Sequence, residues 1–138
     1  MARNGATFNH AMIYVRRIEP ALRFYRDRLG FRLIETFRWR GRAVYARLRS
    51  PRGNTSIALH LPEAKDKPNT KSGIRLYFEV KNLERSCTRL KRAGVKFKQM
   101  PKRMPWGWTH AYLCDPDGYE VSLYWAGAKR LRKTKMEF

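Results

Sequence analysis

Two histidines in the first half of the sequence, His10 and His60, have the side chains best suited to hold a metal ion. A neutral imidazole is a good ligand for divalent transition metals. An alignment of the two halves of the chain matches His10 with Arg75 and His60 with Ser122. A guanidinium is always protonated and has no lone pair for a cation, and a serine hydroxyl is a poor substitute for a carboxylate. The first repeat therefore keeps imidazoles where the second repeat has a cation and a neutral hydroxyl, and the cation favours anions.

This alignment uses a repeated pattern of strand, helix, helix-ending glycine and second strand. The segment from Tyr14 to Phe31 matches the segment from Glu79 to Val95 at a spacing of about 64 to 65 residues. Further on, Ile57 to Leu61 is matched with Tyr119 to Leu123 at a spacing of 62 residues. A duplicated unit predicts a pocket between its two copies, one face coming from each copy.

The first repeat is predicted to have the element order β-α-β-β-β. Alternating residues from Phe8 to Val15 predict a strand, and apolar residues at helical spacing then predict a helix that ends at Gly30. The apolar residues of that helix are Ile18, Ala21, Phe24, Tyr25 and Leu29. Three more strands are predicted over Phe31 to Trp39, Ala43 to Leu48 and Thr55 to Leu61.

The second repeat follows a polar segment, Pro62 to Ser72, that is interpreted as a linker. Asn82 is the predicted N-cap of a helix that ends at Gly94 and buries Leu83, Cys87 and Leu90. The predicted strands are Ile74 to Val80, Val95 to Met100, His110 to Cys114 and Tyr119 to Trp125, with a loop from Pro101 to Trp108. The basic tail after Ala126 is expected to be mobile.

The 138-residue chain has 31 Lys and Arg against 11 Asp and Glu, a formal net charge of +20. Such a surface attracts anions and binds nucleic acid non-specifically at low salt. The sequence contains no stretch of 18 apolar residues that would predict a membrane span, and the first residues lack the apolar run of a signal peptide. Cys87 and Cys114 are interpreted as two buried thiols in a reducing compartment, so a cytoplasmic location is expected.

Three motifs together carry a resemblance to a known family. His10 opens a strand, Phe24-Tyr25 precedes Leu29-Gly30-Phe31, and Asp115-Pro116-Asp117-Gly118 enters the last strand. The chain thus resembles the vicinal oxygen chelate superfamily of glyoxalase I, extradiol dioxygenases, and fosfomycin- and bleomycin-resistance proteins, over about residues 7 to 126. The resemblance implies an α+β fold in which two tandem βαβββ modules form a curved mixed sheet around a cavity. Within a single domain, 1–138, the expected parts are the modules 7–61 and 73–126, the linker 62–72 and the basic tail 127–138.

In the metal-using members, the resemblance implies a divalent ion held by the first and fourth strands of each module. Carried over to this sequence, those positions are His10, His60, Arg75 and Ser122. Because Arg75 and Ser122 are unsuitable ligands, no metal or other cofactor is expected. If a metal is bound, its ligands would be His10, His60 and Glu120, which lies two residues before Ser122 on the same strand face. The alternative interpretation of Glu120 is an ion-pair partner for Arg75 or for a surface lysine.

Strand alternation also predicts which side chains line the ligand cavity. These are His10, Met12, Tyr14, His60, Arg75, Tyr77, Glu120, Ser122 and Tyr124, with Trp106 and Trp108 over the mouth. The alternative for Met12, Tyr77 and Tyr124 is that they only fill the interior of the cup. His110 is interpreted as a hydrogen-bonded strand histidine rather than a ligand.

Three functions are compatible with these features. The leading hypothesis is a metal-free protein that binds a small anionic or aromatic molecule between the two modules, with Arg75 pairing with a carboxylate or phosphate. The second is an enzyme of the same superfamily: a metal-dependent lyase, dioxygenase or thiol transferase, or a metal-free enzyme in which His10, His60 or Glu120 is the general base. No catalytic residue is assigned.

The third hypothesis is a basic nucleic-acid accessory protein that uses the Arg85 to Arg103 region and the tail. Specific recognition is not predicted, because the sequence has no zinc-finger spacing and no aromatic RNA-binding signature. Related proteins pair their sheets across subunits, so a homodimer is expected. No membrane partner is expected.

Overall fold

The computed structural model describes residues 5–63, 67–71 and 73–131. The chain divides into two compact units, Met1–Asn69 and Thr70–Phe138, and each contains one four-stranded mixed sheet and its helix. The α+β class and the two βαβββ modules are therefore confirmed, as two separate four-stranded sheets. The last part of the predicted basic tail, residues 132–138, lies outside the described residues.

The first unit has the predicted element order. Its elements are β1 (His10–Tyr14), α1 (Ile18–Leu22), β2 (Arg32–Trp39), β3 (Arg42–Arg49) and β4 (Ser56–His60). The sheet order is β1-β4-β3-β2, in which β1 runs parallel to β4 and the other neighbours are antiparallel. One face packs on the helix and buries alternate residues such as Ile13, Ile57 and Leu59. The opposite face of this sheet is termed the open face of the first unit.

The helix of the first unit changes its hydrogen-bonding pattern half-way. After α1 it continues as a π-helix over Arg23–Arg28, and the Leu29 amide donates to the Phe24 carbonyl five residues back. The widened turn still buries Phe24 and Tyr25, as predicted, but Leu29 is only half-buried. Gly30 ends the helix with a φ of 81°, a left-handed conformation that glycine adopts without strain.

The second unit repeats this topology. Its elements are β5 (Arg75–Glu79), α2 (Leu83–Arg92), β6 (Phe97–Arg103), β7 (Thr109–Cys114), β8 (Glu120–Trp125) and a 3₁₀ helix (Gly127–Leu131). The sheet order is β5-β8-β7-β6. Leu83, Cys87 and Leu90 of α2 are buried as predicted, and burial raises the pKa of the Cys87 thiol to about 11. The sheet face away from α2 is termed the open face of the second unit.

Three local predictions for the second unit were wrong, and that for Asn82 was right in its position. The segment from Pro101 to Arg103 belongs to β6 rather than to a loop, because Pro101 lies on an edge strand where the register shifts between Gln99 and Lys102. Asn82 is the N-cap residue of α2, as predicted, but in the described part of the chain its side chain makes no capping hydrogen bond, and its carbonyl accepts one from the Ser86 amide. Cys114 is half-buried rather than buried. The first residues of the tail form the 3₁₀ helix, and Glu79 accepts hydrogen bonds from two amides at its start, 126 and 127.

No helix within the described residues has both the length and the apolar character needed to cross a membrane.

Candidate functional site in the second unit

The strand registers correct the alignment of the two halves. In the first unit β1 pairs His10 with Ser56 and Tyr14 with His60, and in the second unit β5 pairs Arg75 with Glu120 and Glu79 with Tyr124. The bond from the Val15 amide to the His60 carbonyl recurs as the bond from Val80 to Tyr124, both 2.9 Å. His60 therefore corresponds to Tyr124, at a spacing of 64 residues. The predicted match of His60 with Ser122 was wrong by two residues.

This correction removes one of the two histidines from the expected metal positions. With the spacing of 64, the residue that corresponds to Ser122 is Ala58, which has no donor atom. With this register, the four positions that the resemblance implies for a metal become His10, Ala58, Arg75 and Ser122. One imidazole, one methyl group, one guanidinium and one hydroxyl do not make a ligand set for a divalent ion.

His10 and His60 also lie too far apart to share an ion. They are at opposite ends of the β1–β4 pair, four residues apart in register, which is about 13 Å along the strands at about 3.3 Å per residue. Across residues 5–63, 67–71 and 73–131, no group of three or more His, Cys, Asp and Glu side chains is placed to hold a metal. The residues of the first unit therefore do not fit the predicted His10 and His60 pair of ligands.

A buried hydrogen-bonded histidine, His110, is at the centre of the open face of the second unit. Trp106 Nε1 donates to His110 Nε2 at 3.3 Å, and His110 Nδ1 lies 2.8 Å from Ser122 Oγ. Because an indole N–H can only donate, Nε2 accepts and the imidazole proton is on Nδ1, which donates to Ser122. This confirms His110 as a hydrogen-bonded strand histidine. It also shows that the Ser122 hydroxyl, fully buried, is engaged by His110.

Aromatic rings with nearly parallel planes surround this imidazole. The ring centroids of Trp108, Tyr124 and Tyr112 lie 6.2, 5.4 and 5.8 Å from that of His110, at interplanar angles of 15°, 19° and 14°. The Arg75 guanidinium carbon lies 4.8 Å from the centre of the Tyr112 ring. Trp106 and Trp108 thus pack on the sheet of their own unit. The aromatic cluster around His110 ends at Arg75 and holds that guanidinium in place.

The environment of His110 predicts a stability change with pH. Burial first and the positive Arg75 second lower the pKa of His110, whereas in the unfolded chain it titrates near about 6.5. Below that value the unfolded chain binds a proton that the folded chain does not, so the free energy of unfolding falls as the pH drops through about 6.5. Above about pH 6.5, His110 is neutral in both states and does not make the free energy of unfolding depend on pH. Urea unfolding of the wild type between about pH 5 and pH 8 measures the slope.

The control for this prediction is His110→Gln, which removes the titrating group. The slope below about pH 6.5 should be shallower in this variant by the contribution of one proton. Equal slopes in both proteins would contradict the prediction. The two proteins differ only at position 110, so the difference between their slopes isolates this group.

Besides the Tyr112 ring, two neighbours on the open face, Glu120 and Tyr77, hold Arg75. Its Nε and Nη2 atoms lie 3.1 and 3.0 Å from Glu120 Oε2, and Nη1 donates to the Tyr77 hydroxyl at 3.4 Å. Lys98 reaches the other oxygen of Glu120 at 3.3 Å. Hydrogen bonds from Arg75 and Lys98 lower the pKa of Glu120, so this carboxylate is charged at neutral pH. Glu120 is thus the ion-pair partner of both Arg75 and a surface lysine.

An open cavity of about 680 Å³ lies at this end of the sheet. It is lined by Thr70, Lys71, Gly73, Ile74, Arg75, Tyr77, Lys98, Gly118 and Glu120. Three of these side chains are cations and one is an anion, a formal balance of +2. The Asp115 carboxylate fixes the adjacent turn, because its Oδ1 accepts the amides of residues 117, 118 and 119, each at 2.9 Å. Gly118, with a φ of 102°, brings the backbone to the cavity wall.

The structure separates the predicted site residues into three groups. Arg75, Tyr77 and Glu120 line the cavity, and Ser122, Tyr124, Trp106 and Trp108 surround His110. The remaining four, on the first unit, are His10, Met12, Tyr14 and His60. Sequence reasoning missed Lys71, Lys98 and Tyr112. Alternation along β7 places Tyr112 on the face of His110, but no sequence signal distinguishes Lys98 from its neighbouring lysines.

The fold and the sequence both match one family. The sequence model of the Glyoxalase/Bleomycin resistance protein/Dioxygenase superfamily matches residues 7–123, most of the chain. The chain belongs to this superfamily. The resemblance identified from the sequence motifs is therefore confirmed. No curated protein sequence matches the chain.

Solved structures of other proteins share the fold of this superfamily member. A Glyoxalase/bleomycin resistance protein/dioxygenase superfamily protein from Sphaerobacter thermophilus is 28% identical with a TM-score of 0.71, covering 88% of this chain and 98% of its own. TioX from Micromonospora is 16% identical, with a TM-score of 0.71 and coverages of 87% and 98%. A lactoylglutathione lyase from Agrobacterium tumefaciens is 17% identical, with a TM-score of 0.68 and coverages of 90% and 96%.

Proposed function

We propose that this superfamily member binds a small anionic molecule with an aromatic or other unsaturated body in the cavity at Arg75, and that it does so without a metal ion. The observation that carries the proposal is the group of three cations, Lys71, Arg75 and Lys98, around one cavity with a single carboxylate, Glu120. A site with this charge balance attracts carboxylates and phosphates and repels cations.

Arg75 is the residue that would orient the anion. A guanidinium has five N–H donors, of which Glu120 takes two and Tyr77 takes one. Up to two N–H groups, 5 − 3 = 2, thus remain for a ligand oxygen pair. The stacking of Arg75 on Tyr112 and its bonds to Glu120 fix the side chain before the ligand arrives, which lowers the entropy lost on binding.

The remaining wall of the cavity suits a flat body. The half-exposed ring of Tyr77 and the exposed side chain of Ile74 border the same space as the cations. A ligand whose ring stacks on Tyr77 and whose acidic group pairs with Arg75 would contact both the apolar side and the cationic side of the cavity. The proposal includes no metal, because Ala58, Arg75 and Ser122 stand where the superfamily would need ligands. An enzymatic role through a metal-bound oxygen is not proposed for the same reason.

The test compares two probes that differ in charge, 2-naphthoate and the neutral 2-naphthamide, on protein treated with a chelator. We expect naphthoate to bind at least about 10-fold more tightly, since a charge-assisted hydrogen bond contributes about 1.5–3 kcal/mol. Lys98→Gln should weaken the binding of naphthoate by about 5-fold, which corresponds to the loss of about 1 kcal/mol from one exposed charge. Isothermal titration calorimetry measures both affinities.

The matched control is Lys91→Gln, which removes one positive charge from the exposed side of α2. It should leave the affinity for naphthoate within about 2-fold, because exposed charges beyond the Debye length of about 8–10 Å are screened. Equal affinity for naphthoate and naphthamide would reject the anion site. Naphthoate binding that requires added Zn²⁺ or Mn²⁺ would reject the metal-free part of the proposal.

A further inference from the structure

A row of four aromatic side chains crosses the open face of the first unit. The strand registers place Phe37 opposite Tyr45, Tyr45 opposite His60, and His60 opposite Tyr14. Consecutive ring centroids are 5.5, 5.8 and 6.1 Å apart. Because directly opposed residues share a face of the sheet, the row runs over all four strands without a gap.

The ends of this aromatic row are open to solvent. The side chain of Phe37 is 61% exposed and that of Tyr14 is 41% exposed. The neighbouring Met12, on the same face of β1 as Tyr14, is 43% exposed. Large apolar groups that lie together on a surface mark an interaction site. The flat rings are suited to a partner that itself presents flat rings.

Arginines surround the aromatic row on the same face. A register shift between Phe37 and Arg38 interrupts the alternation of β3, so the buried Ala43 lies on the helix face with its partner Arg38. Alternation along β2 places residues 35, 37 and 39 together with their β3 partners 47, 45 and 42, and Arg32 pairs with Arg49 on the same face. The arginines in this set are Arg32, Arg42, Arg47 and Arg49. The carboxylate found in this set of described residues, Glu35, pairs with Arg47 at 2.9 Å. The formal balance of the set is therefore 4 − 1 = +3.

We propose that this face binds single-stranded nucleic acid, with bases stacked on the aromatic row and phosphates paired with the arginines. Aromatic platforms within basic grooves bind single strands because every base has a ring face to stack. A duplex conceals those faces, so it cannot use the row. The net charge of +20 adds a long-range attraction for a polyanion. A second copy of this face is a poorer occupant, because a symmetric contact would bring two +3 surfaces together.

The experiment measures fluorescence anisotropy of labelled oligo-dT and oligo-U, each about 12 nucleotides long, and of a duplex of the same length at about 0.15 M salt. Phe37→Ala should weaken both single strands by about 10-fold, since one stacked base contributes about 1–3 kcal/mol. The matched control is Leu33→Ala. Leu33 is 40% exposed on the same strand, but it pairs with Leu48, which is buried on the helix face. It should change the affinity by less than about 2-fold, as expected for an exposed side chain outside the contact.

The dependence on salt separates stacking from simple charge attraction. Arg32→Gln should reduce the slope of log K against log salt by about 0.7, the contribution of one phosphate contact, whereas Phe37→Ala should leave the slope unchanged. Tighter binding of both single strands than of the duplex supports the proposal. Equal losses in the Phe37 and Leu33 variants, or duplex binding as tight as single-strand binding, would overturn it. A dimer of the wild type that dissociates on Phe37→Ala, seen by sedimentation, would also overturn it.

Discussion

Replacing Arg75 with alanine is expected to weaken the binding of 2-naphthoate by about 100-fold, or about 2.7 kcal/mol, with the affinity for 2-naphthamide changed by less than about 2-fold. Two effects add. The ligand loses its charge-assisted hydrogen bonds, which contribute about 1.5–3 kcal/mol, and Glu120 loses a partner at 3.0 Å and then repels the anion. Titration calorimetry with both probes measures the difference.

The contribution of Glu120 can be isolated with a second substitution. If repulsion from the unpaired carboxylate is part of the loss, Arg75→Ala with Glu120→Gln should bind naphthoate more tightly than Arg75→Ala alone. Arg75→Lys should fall between the wild type and the alanine variant, because an ammonium carries the charge but lacks the planar fork. Similar affinity for naphthoate in the wild type and in Arg75→Ala would show that Arg75 does not contact the ligand.

His110→Ala is expected to lower the free energy of unfolding of the second unit by about 4 kcal/mol. The substitution leaves the buried Ser122 hydroxyl and the Trp106 indole N–H without their partner, at a cost of about 1–3 kcal/mol for each group that remains buried. It also opens a space beside Tyr112 and Tyr124, whose rings pack on the imidazole with nearly parallel planes. Urea unfolding followed by tryptophan fluorescence measures the loss.

Two further variants separate the hydrogen bonds from the stacking. His110→Phe retains a flat ring and removes both hydrogen bonds, so it should cost about 2 kcal/mol. Adding Ser122→Ala to it should recover part of that loss, because no buried hydroxyl then lacks a partner. His10→Ala, at an exposed position, serves as the control and should change stability by less than about 0.5 kcal/mol. A His110→Ala protein as stable as this control would show that the aromatic cluster around His110 does not stabilise the fold.

The strands were predictable from the sequence because their side chains alternate with period two, but the same period conceals their register. In the run from Ile57 to Leu61, a shift of two residues leaves every side chain on the same face. The sequence therefore supports a spacing of 62 and a spacing of 64 equally well. Only the backbone partners, Tyr14 with His60 and Glu79 with Tyr124, distinguish them. This is why the sequence placed an imidazole at a position that Ala58 occupies.

The candidate site was predictable only in part. Arg75, Tyr77 and Glu120 follow from alternation on strands that the sequence identifies. Lys71 and Lys98 are two of many basic residues, and their approach to Arg75 depends on where the segment before β5 and the edge strand β6 come to lie. Trp106 was expected at a cavity mouth, but the loop ahead of β7 folds back and its indole bonds to His110 four residues later. Such contacts depend on loop geometry, for which the sequence has no periodic signal.

The paired strands β3–β4 and β7–β8 contain the same two aromatic side chains in exchanged positions. Tyr45 is opposite His60 in the first unit, and His110 is opposite Tyr124 in the second. A cross-strand contact is a property of the pair rather than of either strand, so a duplicated sheet can exchange the two residues and retain their packing. The exchange places one imidazole beneath the indoles and the other within an open aromatic row. Two copies of one scaffold thereby acquire different chemical surfaces from the same pair of residue types.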